Sequence, residues 1–518
     1  MPKILESNPT ESGLAPRWTQ FALGGVIIAA MLGLYAYPLY WPIILYDDFA
    51  ILMRSWTWAE TWKNVWLPNN EHAMPLGRLS TGLLIEAAGG RLTRVPQVVD
   101  FQGPLALVAA MGMVYLFVRR ELGHPWYGLL AIAIFGISTT YQQAVFWYAS
   151  SFSILALDMG LLGLLAAQAW RRTGKVYSLA WVVIWCLLAP AWFASGVLAG
   201  PLCCLYLLPD RGMGKPEQPT PWLWRGLVAA LTPLAGTVLF LAISLPRTQD
   251  AILHAVHYGD TTALEAFSIK IGLLYTARSL VDNLFLGIFG VGGVTLPIAV
   301  SLLVLPFLIA GALWWWRQAT NRRLLILGLG MILSHYVLFY SARARWYYDG
   351  VMTNPGWSRY HLVPQLGLTL FFLGGLPRWQ NRLRLSPDGR LNWKQAGSFI
   401  VLALLLAAIH LPRGLMVHWW FKPLPDGLRV EWFRPMRYFE QQDFFRQIEE
   451  VDDLCRRQAI DAETAREVLE ERHIKLDLDW ENNWQFLRGA DPSEARPFTS
   501  VEEARRILTP ETERQEQD

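Results

Sequence analysis

This chain reads as an all-α polytopic membrane protein, and three observations carry that reading. Of its 518 residues, 53% are hydrophobic and only 17% are charged. An ordinary soluble domain carries about 25% charged residues. Several apolar runs outlast a core helix and reach the ~20 residues that cross a bilayer. Lys and Arg crowd into alternate connecting loops, as the positive-inside rule requires. Together these predict a bundle of about 11 transmembrane helices over 1–418 with external surface helices. A small, mostly helical soluble domain follows over 419–518, with an acidic, disordered end at Glu511–Asp518.

The first helix is expected over 19–45, inside the uncharged run Trp18–Tyr46. That run is too long for a signal peptide and lacks a small-residue cleavage site. A mixed stretch to 96 follows, with Trp56, Trp58, Trp62 and Trp66 and an amphipathic helix over Leu79–Ala88. Tryptophans of this kind settle at headgroup level. The second helix spans 97–118 and stops at Arg119-Arg120. The third and fourth occupy Pro125–Trp170 and hinge at Tyr141–Ser151. Val176–Pro209 lies between two basic loops, so it crosses twice, as two short helices broken near Pro190. One long tilted helix is the alternative.

A seventh helix is expected over 222–245. The polar loop 247–293 holds an amphipathic helix marked by Leu264, Phe267, Ile271 and Leu274. Helices at 294–316, 323–340, 361–376 and 397–417 complete the bundle, separated by the loop Ser341–Arg359 and the basic loop 378–394. Arg119-Arg120, Arg171-Arg172-Lys175, Arg317 with Arg322-Arg323, and the 378–394 loop then face the cytoplasm. Asp47-Asp48 and the loops 247–293 and 341–359 face the other side together.

Some functions are excluded. There is no Walker-type phosphate loop and no Gly-x-Ser-x-Gly, so neither an ATP-driven pump nor a serine hydrolase is indicated. Cys186, Cys203, Cys204 and Cys455 suggest neither a disulfide framework nor a zinc site. The net charge of +3 does not identify partners, and nothing points to nucleic acid. No Asn-x-Ser/Thr with x other than Pro occurs, which suits a bacterial inner membrane.

The candidate site residues gather on the non-cytoplasmic side. Asp47 and Asp48 leave the first helix at the membrane surface, where a carboxylate acts as general base on a hydroxyl or holds a divalent metal. The plainer alternative is a solvated turn. Arg359, with Arg343 and Arg345, suits phosphate oxygens, because guanidinium donates a planar fork of hydrogen bonds. Binding to anionic headgroups, or pairing with Asp349, is the alternative. Glu71 and His72, near Arg78, offer further acceptor or metal contacts, against a bland surface role. Asp158 lies within the fourth helix, where an acid faces the interior or a water-filled cavity. It lines an acceptor cavity or pairs with Gln168 or Gln143. Lys270 and Arg278 read as surface charge on the amphipathic helix, and His254 and His257 lack a third metal ligand.

A first helix ending in an acidic pair, followed by a long external loop with surface helices, resembles the GT-C glycosyltransferases. Those include the protein O-mannosyltransferases and the aminoarabinose transferases of lipid A. Ser358-Arg359-Tyr360-His361-Leu362-Val363-Pro364 is similar to their external Arg-Tyr segment entering a late helix. The resemblance covers the architecture of 19–376; at residue level it rests on Asp47-Asp48 and the Arg359 segment. It implies a membrane glycosyltransferase that moves a sugar from a polyprenyl-phosphate donor to a glycan, lipid or protein acceptor outside the membrane. Asp47 would be the base, Asp48 would orient it or bind a metal, and Arg359 would hold the donor phosphate. The rival readings are a transporter or flippase of lipid-linked glycans, and a ligase or polymerase using a lipid diphosphate, whose chemistry would fall on 247–293.

Overall fold

A computed structural model describes residues 18–44, 46–69, 73–208, 221–256, 268–291, 296–319, 321–348, 358–376 and 392–415, with 442, 445–446, 449–450, 476–479 and 483–486 from the tail. The described residues are helical except for connecting turns and one hairpin. Among the described residues, eight helices are long and apolar enough to cross a membrane, which makes this a multi-pass membrane protein. Three shorter apolar helices accompany them.

Helix α1 (Trp18–Tyr40) leads to the surface segment α2 (Tyr46–Met53), α3 (Trp58–Asn64), α4 (Pro75–Ala87) and α5 (Val95–Val99). Thr57 caps α3, its hydroxyl accepting from the Glu60 N–H, and Pro75 opens α4. The amphipathic helix expected over Leu79–Ala88 is α4, begun one turn earlier. Then come α6 (Gln102–Leu122), α7 (Pro125–Gly136), α8 (Gln142–Phe146) and α9 (Tyr148–Thr173). The hinge between α7 and α9 covers Ile137–Trp147, overlapping the expected Tyr141–Ser151 but starting four residues earlier. Helix α10 (Val176–Trp192) contains Pro190 and breaks at Phe193; the 3-10 turn Ala194–Leu198 carries the chain into α11 (Ala199–Leu207). So Val176–Pro209 holds two short helices, not one long one.

Helix α12 (Pro221–Val256) runs past the expected end at 245. The segment 268–291, expected as part of a polar loop, is instead apolar enough to count among the eight. It comprises α13 (Ile269–Arg278), a π-helical turn Ser279–Phe285 and α14 (Leu286–Ile288). Leu264 and Phe267 lie outside the described residues. Its contacts fall at one end of its neighbours. The Ser268 N–H donates to the Tyr340 hydroxyl (3.0 Å) late in the helix that follows, and Gly290 packs on the carbonyl of Ile409.

Helices α15 (Ile298–Gln318), α16 (Arg322–Tyr348), α17 (Leu362–Gly375) and α18 (Trp393–Leu415) finish the bundle. Helix α16 overruns its expected end at 340 by two turns. Arg343 and Arg345 therefore sit on helix rather than in a loop; their side chains lie outside the description. Gly328 of α16 and Gly367 of α17 approach so closely that a Cβ on either would strike the other's carbonyl oxygen. Small residues allow such backbone contact where lipid supplies no hydrophobic drive. The core runs through α6, α7, α9, α11, α16 and α17, with Leu107, Phe135, Ile154, Leu327 and Leu366 fully enclosed.

Among the described residues, Arg120, Arg171, Arg172 and Arg323 collect at one end of the bundle. There Glu121 accepts from Gln168 Nε2 (2.8 Å) and from the Tyr206 hydroxyl (2.8 Å), and pairs with Arg171 (3.5 Å). The guanidiniums of Arg171 and Arg323 lie over the Tyr206 ring at 5.2 and 5.7 Å. The tail departs from an all-helical reading in one place: β1 (Leu476–Asp479) and β2 (Asn483–Phe486) pair antiparallel, and β2 lies against α2. Glu449 accepts from the Thr93 backbone N–H (3.0 Å) and hydroxyl (3.1 Å), tying the tail to the first loop. Most of the tail expected to be helical lies outside the described residues.

Candidate functional site

Helix α2 begins at Tyr46 directly after α1, with Asp47 and Asp48 in its first turn, where negative charge suits the helix dipole. Asp48 is completely buried, and its Oδ1 accepts from the backbone N–H of Ala149 at 2.7 Å. Ala149 lies in the first turn of α9, whose leading N–H groups have no partner within the helix. The acid thus ties α2 to α9. The Asp47 backbone is helical; its side chain lies outside the description.

Around Asp48 the packing is tight and polar. The Tyr148 and Thr81 hydroxyls share a hydrogen bond of 2.7 Å, and Thr81 donates to the Gly77 carbonyl at 2.7 Å. Arg78 is fully buried and donates to the carbonyls of Ile51 (3.1 Å) and Leu67 (3.5 Å). Burial, reinforced by the charge of Arg54, pushes its pKa down to about 9, so it stays charged at neutral pH. Its role is to hold α4 against the end of α2, which is neither bland nor on the surface.

Arg359 arrives at the same helix end from the far side of the sequence. It sits in the 3-10 turn Ser358–His361 that precedes α17. Its guanidinium stacks 4.4 Å from the Trp147 ring and 5.0 Å from the Tyr360 ring, and donates to the Tyr360 hydroxyl at 3.1 Å. Its backbone N–H donates to Gln143 Oε1 at 3.2 Å. Trp147 and Ala149 are two residues apart, so Asp48 and Arg359 converge on one turn of α9.

A narrow cleft of about 10 Å³ opens beside Arg359, lined by Ser150, Ser153, Ser195, His335 and Tyr360 among others. It shares Ser195 and Val363 with a narrow apolar crevice of about 30 Å³ lined by Leu157, Gly160, Leu161, Leu164, Ala199 and Met331. From Ala156 to Leu164 the crevice follows α9 for ~12 Å, at 1.5 Å per residue. The guanidinium of Arg359 suits an anionic group, and the neighbouring crevice is apolar.

The remaining expectations divide. Glu71 and His72 lie outside the described residues. Asp158 is buried, and its Oδ1 makes no hydrogen bond among the described residues. It pairs with neither glutamine: Gln168 donates to Phe117 O and Glu121, while Gln143 accepts from Arg359. Its neighbours Leu157 and Gly160 line the crevice, but Asp158 does not. Arg278 is not surface charge. It is 4% exposed and pairs with Asp282 at 3.3 Å, and Asp282 also accepts from Ser301 at 2.7 Å. His254 lies in the helical part of α12 without a described side chain, and His257 lies outside the described residues. No group of three His, Cys, Asp or Glu side chains that could hold a metal occurs among the described residues. With Asp48 already committed to Ala149, the described residues do not make up a metal site.

Sequence reasoning passed over Asp282, Trp147 and His335. A lone histidine or aspartate inside an apolar run is the signal that could have found two of them. No protein-family model matches the chain, and no curated protein matches it either.

Proposed function

We propose that this protein is a membrane glycosyltransferase of GT-C type that transfers a sugar from a polyprenyl-phosphate donor to an extracytoplasmic glycan, lipid or protein acceptor. The observation that carries the reading is that Asp48 and Arg359 both engage the start of α9, through Ala149 and Trp147, and that Arg359 lines a cleft beside an apolar crevice. Arg359 holds the donor phosphate and the isoprenoid follows the crevice. Asp47 takes the proton of the acceptor hydroxyl as its oxygen attacks the anomeric carbon. The bond from that carbon to the phosphate oxygen breaks, and polyprenyl phosphate leaves. Fixed positive charge at the leaving oxygen lowers this barrier. Direct displacement inverts the anomeric centre. Asp48 acts on Asp47 by fixing α2, and Arg343 and Arg345, further along α16, meet lipid headgroups. No step is routed through a metal.

Further support comes from the opposite end of the bundle, where Arg171 and Arg323 gather around Glu121 and Tyr206. A positive cytoplasmic end leaves the Asp48–Arg359 end outside, in a bacterial inner membrane. The test is transfer from a labelled polyprenyl-phosphate sugar by the purified protein. A new glycosidic bond supports the reading. Movement of lipid-linked glycan without bond formation would establish a flippase, and reaction only with a lipid-diphosphate glycan would establish a ligase or polymerase.

A further inference from the structure

His335 of α16 is 2% exposed and forms part of the wall of the Arg359 cleft, its ring 4.6 Å from that of Phe339 between centroids. Neither ring nitrogen completes a hydrogen bond within the protein. A neutral imidazole carries one donor and one acceptor nitrogen. The second nitrogen is therefore a buried lone pair with nothing donating to it. Buried polar atoms without a partner are rare and point to a water or a ligand. The wall opposite is built from irregular chain: α10 stops at Phe193, and the turn Ala194–Leu198 contributes Ser195. Inside an apolar layer such backbone is tolerated where it lines a cavity.

We infer that His335 reads the sugar of the lipid-phosphate donor, its acceptor nitrogen taking a hydrogen bond from a ring hydroxyl while Arg359 holds the phosphate. This rests on the function proposed above, because it requires a sugar beside Arg359. It makes His335 a specificity-determining residue and leaves the proton transfer to Asp47.

The experiment measures binding of three probes to purified protein in nanodiscs: polyprenyl-phosphoryl glucose, polyprenyl-phosphoryl mannose, and the same polyprenyl phosphate without sugar. His335→Phe keeps a flat ring against Phe339 and removes both nitrogens; His335→Leu is a second, differently shaped removal should the first fail to fold. Thermal melting verifies folding of each. Loss of one neutral hydrogen bond should weaken binding of the preferred sugar-bearing probe about 2- to 12-fold and leave the bare carrier unchanged. Unchanged binding of all three would mean that a water satisfies the ring, and the inference falls. Equal weakening of all three would place His335 at the phosphate or in the fold, and the inference falls again. A wild-type protein that prefers neither sugar probe to the bare carrier overturns the inference and leaves the phosphate site standing. A wild-type protein that binds none of the three removes the proposed function itself.

Discussion

Replacing Asp48 separates a structural acid from a chemical one. Its carboxylate is fully buried and takes the Ala149 N–H at 2.7 Å. A hydrogen bond to a charged group contributes about 1.5–3 kcal/mol. Negative charge at a helix N-terminus adds up to ~2 kcal/mol in a shielded geometry. Asp48→Asn keeps the shape and an accepting carbonyl, so it loses chiefly the charge, about 1–2 kcal/mol. Asp48→Ala also orphans the Ala149 N–H and leaves a void, for a loss of about 3–4 kcal/mol. At roughly 2–3 °C per kcal/mol for a large chain, melting should fall by ~2–6 °C and ~6–12 °C respectively. Transfer should fall in the same order, because α2 carries Asp47 and loses its anchor on α9. Tryptophan fluorescence during heating in detergent, with transfer rates on the same samples, gives both readouts. Wild-type melting in Asp48→Ala would refute the anchoring argument. So would an Asp48→Asn protein that melts normally yet has lost as much activity as an Asp47 variant.

Asp47→Asn cannot take a proton, and should lose transfer by about 10²–10⁴-fold. Its melting should stay close to wild type; wild-type transfer rates would remove it as the base. Arg359→Lys keeps the charge but loses both the fork and the stacking on Trp147 and Tyr360. Donor KM should rise about 5- to 30-fold, on ~1–2 kcal/mol of lost interaction, and unchanged donor affinity and turnover would end its phosphate role. Asp282→Asn breaks a buried ion pair with Arg278, a loss of about 3–5 kcal/mol. Replacing both partners by Leu and Met should recover most of the lost melting temperature, and a single variant as stable as wild type would contradict the pairing.

Most of the bundle was legible because lipid imposes a simple rule: long apolar runs become helices and arginines stop them. The two short helices of Val176–Pro209 followed from charge on both flanks, and the break at Phe193 lies close to the expected Pro190. Segment 268–291 was misread because its charges, Arg278 and Asp282, cancel inside the fold. A sequence displays charges singly and hides their pairing. For the same reason Arg343 and Arg345 looked like loop residues when the helix continues beneath them. Within the site, Asp48 and Arg359 were picked out separately by residue type. Their meeting at α9 could not be read, since it depends on Trp147, whose importance comes only from what stacks on it.

Helix α9 is fastened at both extremities: Asp48 holds its first turn, and Glu121 holds Gln168 and Arg171 near its last. A rod pinned twice has little freedom to tilt or slide. Bilayers differ in thickness by several ångströms, and spanning helices ordinarily answer by changing tilt. Here that adjustment falls to the periphery, above all to α15, whose apolar stretch is 6% buried against 67% for α9. The outer helices act as a compliant jacket around a stiff axle. On the transferase reading proposed above, transfer should consequently vary little when the purified protein is moved between membranes of short and long acyl chains.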